Sequence, residues 1–324
     1  MKSLNRALIT GVNGQDGYFL AKFLIQKGYA VIGIGRSQES YNFSSENYSY
    51  FQCDITENVL LESVIRRTDP HEIYNLAAVS SIVASDSDPI KSYETNVLGL
   101  VNLLEVVRKF GPKRPKVFHA SSSLVFGSDA QGSLNELTER KPSNLYAHTK
   151  YLSEQVCQHY RESHSLFIST GVPFNHEGGV RNRNSLFTKI LREVIEVANE
   201  TSNKIEVYNL GETRDLGYAQ DFVEGFWKSL QYETPEDFVF STGMARTIQE
   251  IVESVLKILN LDSSCLILDS TTSGNFESTE RRASNFGDSS KAKKLLGWEP
   301  RTDLTELIEN TVRTLRMDAN FLDE

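Results

Sequence analysis

Short apolar runs alternating with helix-length amphipathic stretches constrain this chain more than any other feature. Ala7-Leu8-Ile9, Ala30 to Ile34, Tyr50 to Cys53, Ile73 to Leu76, Val117 to Ala120 and Phe167 to Val172 each have the length of one strand. Helical segments lie between them, such as Tyr18 to Lys27, stopped by Gly28, and Pro89 to Lys109, stopped by Gly111. Runs this short, separated by helices, predict parallel strands buried on both faces and joined by right-handed crossovers. The fold class is therefore α/β, a doubly wound parallel sheet of the Rossmann type. After Val172 the pattern loosens into a polar loop (His176 to Asn184), helices over 186–199, 248–259 and 289–296, a Ser/Thr/Gly loop over 270–275, and one apolar run near 238–243 that returns to the sheet. The division expected is a dinucleotide-binding domain over 1–175 and a smaller interleaved domain from 176–237 and 244–324.

Composition narrows the partners. A chain of 324 residues, 39% hydrophobic, can bury a substantial core. Its net charge of −9 argues against nucleic acid, which needs a basic stripe. Cys53, Cys157 and Cys265 form no CxxC pair and read as reduced thiols of a cytoplasmic protein. Neither a leader's apolar segment nor an 18-residue apolar span is present, so no membrane is expected. Six histidines without HExxH or Cys/His ligand spacing predict no metal, and neither a GxSxG elbow nor a Walker loop occurs. His119, on a buried strand, reads as a satisfied core residue, and Trp298 as packing beneath the second domain.

Strand 7–10 runs into Gly11-Val12-Asn13-Gly14-Gln15-Asp16-Gly17 and then a helix. Glycines at these places permit a tight turn, backbone approach to a pyrophosphate and close helix–strand packing, with the phosphates on the helix N-terminus. The second strand ends Gly33-Ile34-Gly35-Arg36-Ser37, without the acid that would bind an NAD ribose. NADP(H) is predicted rather than NAD, with Arg36 as partner of the 2′-phosphate and Ser37 assisting. Asp54 serves either as an acceptor for the adenine amino group or as a cap for a helix starting near Glu57.

Tyr146 and Lys150, in SNLYAHTKYLSEQ, share one helical face at i, i+4. A free phenol has a pKa near 10, and a neighbouring ammonium favours its ionised form, which suits it to proton transfer near neutral pH. Upstream, the strand ending at Ala120 runs into Ser121-Ser122-Ser123, at the carboxyl edge where such sheets bind ligands. Ser122, Tyr146 and Lys150 are the candidate catalytic set.

These residues resemble the extended short-chain dehydrogenase/reductases, and within them the GDP-mannose 4,6-dehydratase family. The resemblance covers nearly the whole chain, through ALITGVNGQDGYFLAKFL, EIYNLAAVSSIVAS, HASSSLVFG, YAHTK, FNHEGG, ETRDLGYAQDFVEGFW and GDSSKAKKLLGWEP; GQDG and FNHE are the most specific. It implies a cofactor lined by Gly11, Asn13, Gly14, Gln15, Asp16, Gly17, Ile55, Asn75, Leu76, Ala77, Ala78, Ser80 and His176, beside Tyr146 and Lys150. It also implies a nucleotide-sugar substrate, GDP-linked, held by Ser85, Ser122, Ser123, Asn175, Arg181, Lys189 and Arg214, and a homodimer or homotetramer. Arg214 would meet the diphosphate, or else form a surface pair with Asp215.

The implied reaction has three parts: hydride leaves sugar C4 while Tyr146 takes the hydroxyl proton; a base removes the C5 proton as the C6 hydroxyl leaves; hydride returns to C6. Leu124 stands where these dehydratases carry a glutamate, and Thr188 where they tend to have an arginine. Leucine can neither accept nor donate a proton, so the first part survives while the elimination lacks its acid/base. The sequence thus predicts oxidoreduction at C4 (a 4-keto reductase, 4-dehydrogenase or epimerase) without efficient dehydration. One alternative is a true dehydratase that recruits Asp129 or Glu136; another is a non-catalytic NADP(H) sensor.

Overall fold

The structure, a computed structural model, describes residues 4–41, 43–111, 113–180, 185–202, 205–207, 209–262, 266–268 and 285–317. The expected loop over 270–275 and Cys265 lie outside them.

The first half runs β1 (Arg6–Thr10), α1 (Gln15–Gln26), β2 (Ala30–Gly35), β3 (Tyr48–Gln52), α2 (Asn58–Thr68), β4 (Glu72–Asn75), α3 (Ile82–Ser87), α4 (Pro89–Tyr93), a π turn (Glu94–Leu98), α5 (Gly99–Arg108) and β5 (Lys116–Ala120). A 3₁₀ turn (Ser123–Phe126), β6 (Gly132–Leu134), α6 (Leu145–His164), β7 (Ile168–Pro173) and β8 (Asn175–Glu177) follow. Next come α7 (Leu186–Ala198), β9 (Ile205–Val207), β10 (Thr213–Tyr218), α8 (Ala219–Gln231) and β11 (Phe238–Phe240). The chain then forms β12 (Ala245–Thr247), α9 (Ile248–Leu259), β13 (Leu266–Leu268), β14 (Asn285–Gly287), α10 (Ser290–Leu296) and α11 (Leu304–Met317).

Seven strands form one sheet in the order β11-β7-β5-β4-β1-β2-β3, every pair parallel. The expected returning strand is β11, in register with β7 at Phe238↔Gly171. Because β4 lies on the opposite side of β1 from β2, a crevice opens beyond the carboxyl ends of β1 and β4, where sheets of this kind hold ligands. A smaller sheet, β12-β10-β8, begins where the chain leaves β7.

Apolar periodicity explains the layers. In α5, Leu100, Leu103, Leu104 and Val107 fall at i, i+3, i+4 and i+7 and are all buried. With Leu61 and Ile65 of α2 they cover one sheet face, while Phe19, Leu20 and Leu24 of α1 join Phe222 and Phe226 of α8 on the other. Phe226 stacks on Phe118 of β5 with centroids 4.5 Å apart. A separate apolar cluster ties α7, α9 and α11 together. Trp298 is buried against Phe222 and Phe240 and donates to the Asp221 carbonyl.

The helix expected over 89–109 is interrupted. Residues 94–98 form a π turn, an insertion often found at functional sites. It turns Asn96 inward, where the amide binds both main-chain polar groups of Val79 and the Thr149 hydroxyl of α6.

Candidate active site

α6 is capped by Asn144, whose side chain accepts from the Ala147 N–H at 2.9 Å. From there its buried face docks on the carboxyl end of β5 at three points. Lys150 Nζ donates to the Ala120 carbonyl at 2.7 Å, Ser153 Oγ meets His119 Nε2 at 2.7 Å, and Glu154 accepts from Ser121 Oγ. The first places the ammonium two residues before Ser122 and 6.0 Å from the centroid of the Tyr146 ring. Ser122 caps the 3₁₀ turn, its Oγ accepting from the Leu124 N–H at 3.3 Å. Leu124 remains 36% exposed and is not drawn into the core.

Burial lowers the Lys150 ammonium from its ordinary 10.5 to about 8, with Asp16, Cys157 and Glu154 opposing the fall. His119 is a core residue, as its sequence suggests. Asn75 donates to His119 Nδ1 at 3.1 Å, which makes Nε2 the protonated nitrogen facing Ser153, and burial holds the ring's pKa well below its ordinary value. The Asn75 side chain is thereby committed between Thr10 and His119 rather than turned to the crevice.

The glycine loop has the shape its sequence implies. Gly11 adopts φ +69°, and a Cβ there would lie 2.8 Å from Ala77 N and Cα. At Gly17 a Cβ would come within 2.5 Å of the Gly11 carbonyl. No side chain caps α1 at Gly14, which leaves the first N–H groups of the helix for an anion. Leu76, Ala77 and Ala78 are half-buried beside it and Ser80 is exposed. These features fit a dinucleotide whose pyrophosphate rests on α1. Arg36 and Ser37 are exposed just past β2.

Other expected contacts are committed within the protein. Asn13 Nδ2 donates to the Glu39 carbonyl, and Gln15 Nε2 to the His176 carbonyl, both at 2.9 Å. Asp16 Oδ1 faces His176 Nε2 at 2.9 Å. Asp54 is not the cap of α2, whose N-cap is Glu57; its carboxylate accepts from Thr56 N and Oγ1 and faces Lys91. Burial works against that carboxylate, but Thr56 and Lys91 hold its pKa below the ordinary range. The Ile55 side chain belongs to the core, so only its backbone can face a ligand.

Among the expected substrate contacts, Ser123 and Asn175 are half-buried, while Ser85 has no exposed surface. Lys189 pairs with Glu193 one turn along α7. Arg214 pairs with Glu212 at 2.7 Å rather than with Asp215. Asp215 is instead buried, accepting from Thr242 N and Oγ1, Gly243 N and Gly287 N. Arg181 lies outside the described residues. Thr188 is buried against Glu177.

Of the acids proposed to replace a glutamate at 124, Asp129 is exposed and bonded to Ser128, and Glu136 accepts from Val239 N at 2.7 Å on the edge strand β11. Among the described residues no cluster of three or more His, Cys, Asp or Glu side chains could hold a metal, and no helix is long and apolar enough to cross a membrane.

A family model described as GDP-mannose 4,6 dehydratase matches residues 8–311. GDP-mannose 4,6 dehydratase 2 of Arabidopsis thaliana is 33% identical over 343 residues, covering 98% of this chain and 91% of that protein. The GDP-mannose 4,6-dehydratase sdnI of Sordaria araneosa is 32% identical over 94% of this chain, which spans only 60% of that protein's length. Among solved structures, dTDP-glucose 4,6-dehydratase of Bacillus anthracis, in complex with NAD, superposes with a TM-score of 0.83 at 22% identity, covering 98% of each chain. RMD from Pseudomonas aeruginosa, complexed with NADPH, gives 0.80 at 19%, covering 97% of this chain and 99% of that one. The chain is an enzyme of the GDP-mannose 4,6-dehydratase family, within the extended short-chain dehydrogenase/reductases.

Proposed function

We propose that this enzyme oxidises or reduces C4 of a GDP-mannose-like nucleotide sugar, with NADP(H) as cofactor, and does not dehydrate it efficiently. The observation that carries this reading is the docking of Lys150 on the end of β5, two residues before Ser122 and 6.0 Å from the centroid of the Tyr146 ring, with Leu124 left half-exposed at the same turn. Residues 1–175 with β11 would hold the dinucleotide; 176–237 and 244–324 would hold the sugar nucleotide, with Asn175 beside the reacting carbon.

The α1 N-terminus would take the pyrophosphate, Leu76 to Ser80 would line the crevice, and exposed Arg36 and Ser37 would bind a 2′-phosphate. When bound, the nicotinamide supplies the hydride acceptor or donor at C4. The Tyr146 hydroxyl gives or takes the proton on the C4 oxygen, and Ser122 hydrogen-bonds that oxygen. Lys150, fixed by the Ala120 carbonyl, keeps a positive charge near the phenol, which favours its ionised form. Removal of the C5 proton needs a base within reach of C5, and such a group contributes about 10²–10⁴-fold. Leu124 offers none, Glu136 is spent on Val239, and Asp129 points to solvent. The dehydratase reading therefore rests on family membership alone.

Exposed Ile90, Leu98 and Leu152, on elements that pack together, support association with a second copy. Buried free thiols at Cys53 and Cys157 suit a reducing cytoplasm. Incubation with a panel of GDP- and UDP-sugars and their 4-keto forms, following the C4 and C6 carbons by NMR, tests the function. Interconversion of alcohol and ketone at C4 supports it; a 4-keto-6-deoxy product from a 6-hydroxy sugar at ordinary turnover contradicts it.

A further inference from the structure

Gln15 and Asp16 stand in the dinucleotide loop, yet their side chains reach 160 residues along the chain to β8. The ring of His176 is buried there, stacked on Phe222 with centroids 4.7 Å apart and planes at 16°. Its Nδ1 lies 2.7 Å from the Phe174 carbonyl and its Nε2 lies 2.9 Å from Asp16 Oδ1. Gln15 Nε2 approaches the same Asp16 oxygen at 3.4 Å and donates to the His176 carbonyl at 2.9 Å. A main-chain carbonyl can only accept, and so can an ionised carboxylate oxygen that already faces an amide donor. A neutral imidazole has one N–H and would set a lone pair against one of these acceptors. The contacts are all satisfied when both ring nitrogens carry protons.

We propose that Asp16 is a positioning residue for the sugar half of the site: with Gln15 it clamps a doubly protonated His176 and so fixes strand β8 with the adjacent Asn175. The sugar-binding role of Asn175 is that of the function proposed above, and the clamp deepens it. The path is short. β7 ends at Pro173, Phe174 carries the carbonyl that holds Nδ1, and Asn175 opens β8 in register with Leu216 of β10. A shift of the His176 ring carries Asn175 with it. The Asp16 carboxylate also lies close enough to Lys150 to be the leading attractive charge on its ammonium. One anion thus steadies two buried cations.

The experiment compares the full-length wild type with Asp16→Leu and Asp16→Asn, all carrying ¹⁵N-labelled histidine, with His176→Gln used only to assign the resonances. Wild type at pH 7 should show both His176 nitrogens protonated. In Asp16→Asn the ring should carry one proton, because the amide can turn its NH₂ toward a neutral Nε2 and keep the contact without the charge. The dissociation constant for NADPH is read in parallel by fluorescence titration, because Asp16 stands in the dinucleotide loop and a loss of cofactor binding must be told apart from a loss of sugar binding. The dissociation constant for GDP-mannose, measured by calorimetry with NADPH present, should rise about tenfold or more in Asp16→Leu, as expected for one lost charge-assisted hydrogen bond, and largely recover in Asp16→Asn. A singly protonated ring in the wild type overturns the clamp. So does an Asp16→Leu variant that loses NADPH while holding GDP-mannose unchanged. A wild type that binds no GDP-mannose contradicts the function proposed above instead, and the ring then decides the clamp by itself.

Discussion

Replacing Lys150 with methionine should separate the chemistry of the site from the stability of the fold, and do so as a function of pH. Burial lowers the Lys150 pKa from 10.5 to about 8. The unfolded chain therefore holds a proton, between pH 8 and pH 10.5, that the folded chain has released. Stability rises with pH wherever the unfolded state binds more protons, by about 1.4 kcal/mol for each pH unit. Across this window the wild type should gain about 3 kcal/mol that the methionine variant does not. Below pH 8 the buried ammonium bears its full desolvation cost, and the variant escapes it. Against that, the variant loses the hydrogen bond to the Ala120 carbonyl, worth about 1–3 kcal/mol at either pH. At pH 7 the terms nearly cancel, leaving the variant more stable by about 1 kcal/mol. By pH 10 the wild type has recovered nearly 3 kcal/mol and should be the more stable by about 1–2 kcal/mol. Urea unfolding of both proteins without ligands, at each pH unit from 7 to 10, reads this directly. Two stability curves that run parallel within about 0.5 kcal/mol would refute the assignment of a depressed buried lysine, whatever happens to activity.

Three further outcomes follow from the site. Tyr146→Phe should lower kcat by about 10²–10⁴-fold while the NADPH dissociation constant moves little, as read by steady-state kinetics and fluorescence titration. A non-catalytic sensor would lose nothing. Arg36→Ala should weaken NADPH by about tenfold or more and leave NADH nearly unchanged, because only the former carries the phosphate that the guanidinium would grip. Leu152→Glu, on the exposed face of α6, should shift the molecular mass measured by light scattering from an oligomer to a monomer without altering helix content; an unchanged mass would place the contact elsewhere.

What could be read from the sequence was local. The turn from β1 into α1 is written in consecutive residues, and the pairing of Tyr146 with Lys150 follows from one helical turn. The seven parallel strands follow from run length and spacing. Contacts between distant segments left little trace. Nothing in the string GQDG indicates that its two polar side chains would be claimed by His176, or that Asn13 would hold Glu39. Asn75 looks like a cofactor residue until the buried chain from Thr10 to Ser153 takes up its amide. The π turn was hidden because helix 89–108 is amphipathic throughout; a lone Asn96 among Thr95, Val97 and Leu98 was its only signal. Lys189 is different, since Glu193 stands four residues on and the pairing was open to a helical reading. Glu136 shows the limit from the other side. An acid in the right part of the chain invited a catalytic role, and its hydrogen bond from the N–H of an edge strand 103 residues away explains it.

The central claim is that Ser122, Tyr146 and Lys150 act at C4 while Leu124 leaves C5 untouched. Running the reaction in D₂O and examining the sugar by ¹H NMR tests it most directly. The account predicts turnover at C4 with protium retained at C5 and the substituent at C6 unchanged, and deuterium entering C5 only when Leu124→Glu restores an acid/base. Deuterium at C5 in the wild type, accompanied by loss of the C6 hydroxyl, would contradict it.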